Sequence, residues 1–437
     1  MKQEKWKLRT FSNIDYNDID SSQLLNEMLK SRGIEDPEAW KNVSKEDENE
    51  ASLLKNIEQG AKILFDTINN NKKVYLQIDA DADGLTSSAI LYKFLESLSD
   101  CEIVVGIHPG KEHGLNISEA LNSGAEVVLV PDASGIPADY ETLNAKGIPS
   151  LIIDHHDYPE EEFPTVVINC RFAPYPNHAL SGAGVVLKVC QYYCETYGVE
   201  NYDFNPLYAL ASIGMVADVM DLQVLENQYI IKYGLQHILR HRFFGEMLKD
   251  RMGNLPKTVT IKDIGWSIGP SINAVIRLGT MEEKRMLFNA TVAPMTNTES
   301  KKRGAAGEIV PLYVEMSRIC KNIKAKQTRL VQGAVQDIEE SLDHNHNILC
   351  YIDEEGRLPF ELSGLIANKL LSTHGKPILL LKHFHDYSDP TMPDCWAGSV
   401  RAKSSVGFEN PREILSQFSG VRESGGRSIM ALTSFCP

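Results

Sequence analysis

Residues 74–87 read VYLQIDADADGLTS, and this stretch decides the fold. It begins with a β-rich apolar run, residues 74–78, that predicts a buried strand. Alternating aspartates and small residues follow from Asp79 to Gly84, and a helical pattern then runs from Thr86 to Leu98. A strand that leads through a polar turn into a helix is typical of βαβ units.

Three further apolar runs, each ending in a polar turn, follow at residues 103–107, 127–130 and 151–153. We therefore expect an α/β protein with a parallel sheet, in which ligands bind at the carboxyl ends of the strands. Acidic residues stand at three of these four ends, and a later helix carries one more. They are Asp79, Asp81 and Asp83 after the first run, Asp132 after the third, the sequence Asp154-His155-His156-Asp157 at the end of the fourth, and Asp218.

Carboxylates gathered at one edge of a sheet repel each other unless a cation lies between them. Carboxylates with imidazoles suit Mn²⁺ or Mg²⁺, and two such ions would hold a phosphodiester for hydrolysis. Each motif alone has a plainer interpretation, because an Asp-x-Asp is usually a solvated turn and a His-His pair is usually a packing feature. A calcium loop fits poorly, since Ile90 stands where its final Glu belongs. The motifs together favour a metal site.

Composition narrows the class of protein. The 437 residues suffice for two or three domains, and the net charge of −15 counts against a protein that coats nucleic acid through a uniformly basic surface. The eight cysteines show no zinc spacing and predict reduced thiols. No apolar run is long enough to span a bilayer, and the first residues lack a signal-peptide core. We therefore expect a cytoplasmic protein without a membrane partner.

The pattern along the chain predicts two lobes joined by a long helix. The pattern in residues 1–50 predicts an N-terminal helical segment. A further helix is expected to begin at Ser44 and to continue through Leu64. Helical patterns dominate from Val185 to about Ile338, and a second α/β segment begins at Asn347. The predicted boundaries enclose residues 1–50, 51–285, 286–342 and 343–437.

Five ordered motifs resemble those of the DHH phosphoesterases, and within them the RecJ-like exonucleases. Residues 79–87 and 154–156 resemble the first and third DHH motifs. Residues 180–184 (LSGAG), 215–219 (MVADV) and 268–279 (IGPSINAVIRLG) resemble segments typical of RecJ. The resemblance covers nearly the whole chain. It implies that residues 51–285 form a DHH catalytic lobe, that residues 286–342 form the connecting helix, and that residues 343–437 form a smaller α/β DHH-associated lobe.

The resemblance also implies roles for individual residues. It implies two divalent cations, Mn²⁺ or Mg²⁺, held by Asp81, Asp83, Asp132, His155 and Asp218. Asp79 and His156 would be catalytic, with Asp79 as a ligand or a supporting acid and His156 as a group that orients the phosphate or stabilises its charge. Substrate or phosphate contacts would be Ser181, Asn273 and Arg277. Without the resemblance, Asn273 would be interpreted as a turn or cap and Arg277 as a surface ion pair.

The second lobe matches the resemblance less well. Residues 362–367 and 398–402 resemble its glycine-containing helix start and its substrate-binding strand, so Ser363, Gly364 and Arg401 are expected to contact phosphate. A plain helix cap is an equal alternative for the first two. Where the family has Gly-Gly-His, this chain has Gly425-Gly426-Arg427, and Arg427 is itself a candidate phosphate contact. The closing strand looks divergent or cut short. Ser271 replaces the family's Arg. We expect no oligonucleotide-binding domain, which longer RecJ proteins add, after this lobe.

The implied function is a 5′→3′ exonuclease that releases 5′-mononucleotides from single-stranded DNA in repair, recombination or replication. A single-strand DNA-binding protein is the implied delivery partner. Two alternatives stay open: a DHH phosphodiesterase for short oligonucleotides or cyclic dinucleotides, and a non-catalytic nucleic-acid-binding scaffold. A basic run on the predicted connecting helix predicts either a solvated face or a strand channel. It comprises Arg318, Lys321, Lys324, Lys326 and Arg329.

Overall fold

The computed structural model describes residues 20–110, 112–158, 163–354, 356–384, 395–402, 421–424 and 432–435. None of the helices in these ranges is both long enough and apolar enough to cross a membrane.

A parallel five-stranded sheet forms the centre of the first lobe. Its strands are β1 (Val74–Ile78), β2 (Ile103–Ile107), β3 (Val127–Pro131), β4 (Ser150–Asp154) and β5 (Val166–Asn169). Their order is β2-β1-β3-β4-β5, and every neighbouring pair is parallel. The four apolar runs thus form the predicted parallel sheet. The edge strand β5 was not predicted, because its four residues directly after Pro164 and Thr165 give too short a pattern.

Helices cover both faces of this sheet. They are α1 (Ser21–Lys30), α2 (Pro37–Lys41), α3 (Ile57–Asn69), α4 (Ala82–Leu98), α5 (Ile117–Asn122), α6 (Pro137–Ala145), α7 (Gly182–Tyr197), α8 (Asn205–Ala217), α9 (Leu225–Leu235), α10 (Arg242–Met252), α11 (Ile261–Asp263), α12 (Gly269–Leu278) and α13 (Met281–Val292). A π-helical segment, Ile264–Ile268, leads directly into α12. Alternate residues of each strand face opposite sides, so Leu76 packs in the larger core with α3, α4 and α7, whereas Tyr75 packs with α5 and α6.

The single helix expected from Ser44 to Leu64 is wrong. The chain instead forms two short 3-10 turns, Lys45–Asp47 and Ala51–Leu53, before α3 begins at Ile57. The interruption has a physical cause, because Glu48 and Asn49 turn inward between the two turns. Glu48 accepts hydrogen bonds from Lys188, Gln191 and Tyr208, and Asn49 donates to Glu226.

A long helix and a second sheet complete the fold. A two-stranded hairpin, β6 (Asn297–Glu299) and β7 (Ile309–Pro311), precedes the 28-residue helix α14 (Leu312–Glu339). The second lobe contains β8 (Leu349–Asp353), α15 (Ser363–His374), β9 (Ile378–Phe384), β10 (Cys395–Arg401), β11 (Val421–Ser424) and β12 (Leu432–Phe435), with strand order β11-β12-β10-β9-β8. The expected two-lobe α/β fold with a long helix is therefore present. The closing strand, expected to be divergent or cut short, is present as β12 and pairs with β10.

The predicted segment 286–342 is not one continuous helix, since it contains the end of α13, the hairpin and α14. The cores show how the lobes are connected. The first half of α14 packs in the larger core of the first lobe, and Ile338 near its end packs in the core of the second. The domain boundaries themselves stay predictions.

Lys188 is buried between two acids and connects the N-terminal turns to the first lobe. Its Nζ lies 3.2 Å from Glu48 Oε1 and 3.6 Å from Glu226 Oε1, and all three side chains are at most 3% exposed. Replacing Lys188 by Met leaves buried Glu226 without its cation and buried Glu48 with only the exposed Lys45, so we expect the free energy of unfolding to fall by about 3–5 kcal/mol. Urea-induced unfolding followed by circular dichroism measures the change.

The matched control is Lys301→Met, whose pair with Glu282 has both side chains more than half exposed. That variant should unfold close to the wild-type urea concentration because solvent screens the pair. Equal stability of the two variants would contradict the role given to Lys188.

Candidate metal centre and active site

Three strand ends bring acids together at one edge of the first sheet. Asp79 follows β1, Asp132 follows β3, and Asp154 ends β4; these three strands are neighbours. Asp132 has φ of 56°, a left-handed conformation that is uncommon for a non-glycine residue. Such conformations concentrate at functional sites, where the surrounding structure holds them in place.

The loop from β1 to α4 places two more aspartates beside them. Asp81 caps α4, because its Oδ1 accepts hydrogen bonds of 2.9 Å from the backbone nitrogens of Asp83 and Gly84. A Cβ at Gly84 would lie 2.6 Å from the Cβ of Asp79, so the turn requires glycine there. The helix start therefore fixes the position of one oxygen of Asp81.

Asp83 is buried against the beginning of α7. Its carboxylate accepts hydrogen bonds from Ser181 Oγ at 2.8 Å and from the backbone nitrogens of Gly182 and Ala183 at 2.7 and 3.2 Å. This arrangement corrects the role predicted for Ser181. Its side chain is fully buried and its hydroxyl donates to Asp83, so it positions a carboxylate and has no access to a phosphate.

His155 presents a lone pair to the carboxylates. Its Nδ1 lies 2.9 Å from the carbonyl oxygen of Leu180, which can only accept, so Nδ1 carries the proton. In the neutral ring, Nε2 is then unprotonated, yet it lies 3.0 Å from Asp132 Oδ1, 3.6 Å from Asp218 Oδ2 and 3.8 Å from Asp83 Oδ2. Imidazoles that bind metals commonly donate their other nitrogen to a carbonyl in this way.

His156 is held by Asp154. Its Nδ1 lies 2.7 Å from Asp154 Oδ1, which also accepts from the backbone nitrogens of His155 and His156. Burial alone would raise the pKa of Asp154, but His156 and these hydrogen bonds hold it below its usual range. The sequence motif contained Asp154, but its role as the partner that orients His156 was not predicted.

The carboxylates closest to His155 cannot all be ionised without a cation. Burial, followed by the charges of Asp218 and Asp81, raises the pKa of Asp83 to about 8. Burial and the neighbouring aspartates also raise the pKa of Asp132 well above its ordinary value and, to a smaller degree, the pKa of Asp81. Each of these shifts disfavours the ionised carboxylate, so a proton or a shared cation would stabilise the group.

The donor atoms form two overlapping groups that each fit a divalent cation. One contains Asp132, Asp154, His155 and His156, and the other contains Asp83, His155 and Asp218; within each group the donor atoms lie within 4.8 Å of one another. Carboxylate oxygens with imidazole nitrogens are a donor set for Mn²⁺, Mg²⁺ or Zn²⁺. The two groups thus fit divalent cations and include Asp83, Asp132, His155 and Asp218 of the predicted ligands, whereas Asp81 lies in neither group; the assignment of individual ligands stays a prediction.

Asp79 has a partner that the sequence did not reveal. His113, in the loop after β2, places its Nδ1 2.8 Å from Asp79 Oδ2. Burial would lower the pKa of His113, but the hydrogen bond and charge of Asp79 outweigh burial and raise it. No periodicity or motif surrounds His113, so only the three-dimensional contact identifies it.

Two arginines from different lobes lie close together next to the aspartates. Burial lowers the pKa of Arg277 and Asp81 partly offsets this, while burial and the charge of Arg277 lower the pKa of Arg401 to about 10. Among the described residues, neither guanidinium has a carboxylate within salt-bridge distance. Asn273, one helical turn before Arg277 on α12, has a buried Oδ1 without a hydrogen-bond partner in the described part of the chain.

In the second lobe, Gly364 lies next to the side chain of Arg401 and to Ser399. A Cβ at Gly364, in the first turn of α15, would lie 2.5 Å from Arg401 Nη2, so only glycine leaves room for the guanidinium. Ser363 does not face a phosphate directly, because its buried hydroxyl lies 2.8 Å from that of Ser399. The predicted contact Arg427 lies outside the described residues.

The structure thus gathers most of the predicted residues at one place. Asp79, Asp81, Asp83, Asp132, His155, His156 and Asp218 surround the candidate cation site. Arg277 lies near Asp81 and Arg401 lies near Arg277, while Ser181, Ser363 and Gly364 support other site residues.

The comparisons with known proteins agree with this geometry. Residues 73–216 match the model described as the DHH family, N-terminal domain. A putative SPbeta prophage-derived single-strand DNA-specific exonuclease, YorK of Bacillus subtilis strain 168, is 34% identical over 384 residues, which cover 86% of this chain and 65% of that protein. The single-stranded-DNA-specific exonuclease RecJ of Thermus thermophilus is 23% identical over 389 residues, 85% of this chain and 52% of the relative. The chain therefore spans less than two thirds of these relatives' length.

Solved structures share the fold. A crystal structure of exonuclease RecJ bound to manganese has a TM-score of 0.66 at 21% identity and covers 87% of this chain and 89% of that one. RecJ of Thermus thermophilus in complex with Mn²⁺ also has a TM-score of 0.66, at 20% identity, and covers 87% of this chain and 52% of that one. At these identities the likeness concerns the fold alone.

Gly182 leaves no room for a side chain next to Asp132. A Cβ there would lie 2.3 Å from Asp132 Oδ1, so Gly182→Ala must displace this carboxylate. We expect the variant to bind Mn²⁺ at least about tenfold more weakly, as measured by isothermal titration calorimetry, while its circular dichroism spectrum stays unchanged. The control Gly333→Ala, in α14, meets no atom within 4 Å and should bind like the wild type. Equal affinities for both variants would contradict the proposed packing.

The raised pKa values predict how the stability of the metal-free protein depends on pH. Between about pH 4 and pH 8, folded Asp83 retains a proton that the unfolded chain has lost, and Asp132 acts in the same direction. The free energy of unfolding should therefore fall as pH rises through this window. Thermal unfolding in the presence of a chelator measures this slope, and Mg²⁺ should stabilise the protein more at about pH 8 than at about pH 5. An equal Mg²⁺ effect at both pH values would contradict the assignment.

Proposed function

Because this chain is a RecJ-like member of the DHH family, we propose that it hydrolyses phosphodiester bonds of single-stranded DNA with the help of divalent cations. The relatives whose names state such an activity are longer than this chain, so the activity, the substrate and the partners of this protein are part of the proposal.

One observation carries the proposal. The lone pair of His155 Nε2 points at three carboxylates, and two guanidiniums without a carboxylate partner among the described residues lie beside them. The first arrangement attracts cations, and the second attracts an anion with several oxygens. A phosphodiester held between cations and arginines satisfies both.

The cations would be Mn²⁺ or Mg²⁺, held by Asp81, Asp83, Asp132, His155 and Asp218. When bound, they neutralise the carboxylates and supply Lewis acidity to the phosphate and to the attacking water. Asp79, paired with His113, would support the loop that carries Asp81 and Asp83.

The remaining residues would bind and orient the phosphate. Arg277 and Arg401 would donate to its non-bridging oxygens, and Asn273, one helical turn before Arg277, would donate from its amide nitrogen to the same substrate. Asp154 holds Nδ1 of His156, so the partly exposed ring, in its protonated form, would donate from Nε2 to a phosphate oxygen and stabilise charge that develops there. Water adds to phosphorus, and the sugar oxygen leaves.

The finer features of the proposal come from the resemblance. They are 5′→3′ polarity, release of 5′-mononucleotides, delivery by a single-strand DNA-binding protein, and a role in repair, recombination or replication. Ser363 and Gly364 contribute by positioning Arg401, and Arg427 is proposed as an additional phosphate contact.

Digestion of end-labelled single-stranded DNA tests the proposal. With Mn²⁺, a 5′-labelled strand should release labelled mononucleotide early, whereas a 3′-labelled strand should shorten gradually. Asp81→Ala should lower the rate at least about 100-fold, because it removes a carboxylate that would bind a cation.

The matched control is Asp66→Ala, which removes an exposed carboxylate on α3 and should leave the rate unchanged. Early release from the 3′-labelled strand would refute the polarity. Hydrolysis of a dinucleotide without cleavage of long strands would instead support the small-substrate alternative, and binding of strands without any hydrolysis would support the scaffold.

A further inference from the structure

The structure divides the five basic residues predicted along α14 into separate groups. Arg318 pairs with Glu315 on the same helix, so its charge is not available to a strand channel as the sequence had suggested. Lys326 and Arg329 are exposed and do not line a described cavity. Lys321 and Lys324, in contrast, line a cavity of about 500 Å³ between α10, the π-helical segment, α12 and α14.

This cavity, the α10–α14 cavity, is locally basic in an acidic chain. Arg251, Lys321 and Lys324 contribute three cations, and none of them has a carboxylate within salt-bridge distance among the described residues. Asp250 is the one acid in its lining, and its Oδ2 already accepts a hydrogen bond of 2.6 Å from Ser317. A net charge of −15 makes such a concentration of unpaired cations unusual and suited to an anionic ligand.

Trp266 stands at the wall of the same cavity. It belongs to the π-helical segment and is 73% exposed, although an indole normally buries most of its surface. The backbone carbonyl oxygen of Trp266 accepts a hydrogen bond of 3.2 Å from Lys324 Nζ, so this cation lies next to the residue that carries the indole. The cavity therefore combines a free aromatic surface with positive charge, the two features that bind single-stranded nucleic acid.

The segment that carries Trp266 packs against residues that directly precede Asp218. On either side of Trp266, Gly265 and Gly269 pack against Val216 and Ala217, with ideal Cβ positions 3.8 and 3.2 Å from these residues. Those two residues directly precede Asp218. Val219, which follows, is 84% exposed and adopts a φ of 57°, so both Val219 and Trp266 present apolar side chains to solvent.

We propose that the α10–α14 cavity is a second nucleotide-binding site, in which a base of a single-stranded DNA stacks on Trp266 and its phosphate binds Lys324, Arg251 and Lys321. The inference rests on the proposed function for the identity of the strand. It adds a contact outside the candidate cation site, so it concerns the length of strand that the enzyme holds.

A phosphate in this position would relieve an electrostatic cost. Burial and the neighbouring charge of Arg251 lower the pKa of Lys324, because both disfavour its protonated form. A bound phosphate would compensate both cations at once. Because protein sites that combine stacking and positive charge hold on the order of ten nucleotides, a strand of about 12 nucleotides is the length chosen to test both sites.

Binding of a fluorescently labelled strand of about 12 nucleotides to the full chain, in a chelator that prevents hydrolysis, tests the site. Trp266→Ala should weaken binding about tenfold, and Trp266→Phe should restore much of the affinity through its aromatic ring. Lys324→Gln should lower the slope of log Kd against log salt by about one, because one phosphate contact is lost.

The matched control is Lys326→Gln, which removes the same charge from an exposed position of the same helix outside the cavity and should retain the wild-type slope. Wild-type affinity in both Trp266→Ala and Lys324→Gln would overturn the proposal. A changed oligomeric state of Trp266→Ala without weaker strand binding would overturn it too, because the cavity would then be an interface between copies of the chain.

Hydrolysis separates this inference from the proposed function. Trp266→Ala should raise KM for the strand of about 12 nucleotides more than for a dinucleotide, which is too short to reach the cavity. If the wild type hydrolyses neither substrate while strand binding still depends on Trp266, the second site stands and the proposed function fails. If hydrolysis proceeds and the two KM ratios are equal, the second site alone is refuted.

Discussion

Mutual repulsion between buried carboxylates is the constraint on which the first lobe depends. Sheet topology brings Asp79, Asp132 and Asp154 to one edge, and the surrounding elements supply compensating charge. The first turn of α4 donates to Asp81 and the first turn of α7 donates to Asp83, so two helix N-termini point at the cluster. These donors offset only part of the repulsion, and the pKa of Asp83 accordingly rises to about 8. Divalent cations complete the compensation in the mechanism proposed for this chain.

Repulsion between two positive charges acts at the place where the two lobes meet. Arg277 is carried by α12 in the first lobe and Arg401 by β10 in the second, and each guanidinium raises the cost of the other's charge. An anion between them would remove that cost, so binding of a phosphate would also favour approach of the two lobes. Because α14 contributes to both cores, it limits how far the lobes can separate. Substrate affinity and lobe geometry are therefore expected to be coupled.

How much the sequence could reveal depended on whether a signal was local. Apolar runs followed by acids predicted four strands and the carboxylate edge, because both signals lie within a few residues of each other. The partner of Asp79 could not be predicted, since His113 reaches it from another loop without any pattern. The inward turn at Glu48, which replaced an expected helix, depends on Lys188, 140 residues further along. The phosphate contact predicted for Ser181 was wrong for the same reason. The motif around Ser181 is local, but Asp83, which accepts the hydrogen bond of its hydroxyl, lies 98 residues away in the sequence.

The bond between Ser181 and Asp83 has a further consequence for how the protein is made. Residues 83 and 181 enter the ribosomal exit tunnel 98 residues apart, and Asp218 follows later still. The cluster can close only after most of the first lobe has been synthesised, and closing so large a loop is slow. A nascent chain therefore carries scattered aspartates with ordinary acidity and has no assembled cation site. The proposed hydrolytic activity would therefore arise late in biosynthesis, after much of the first lobe has been made.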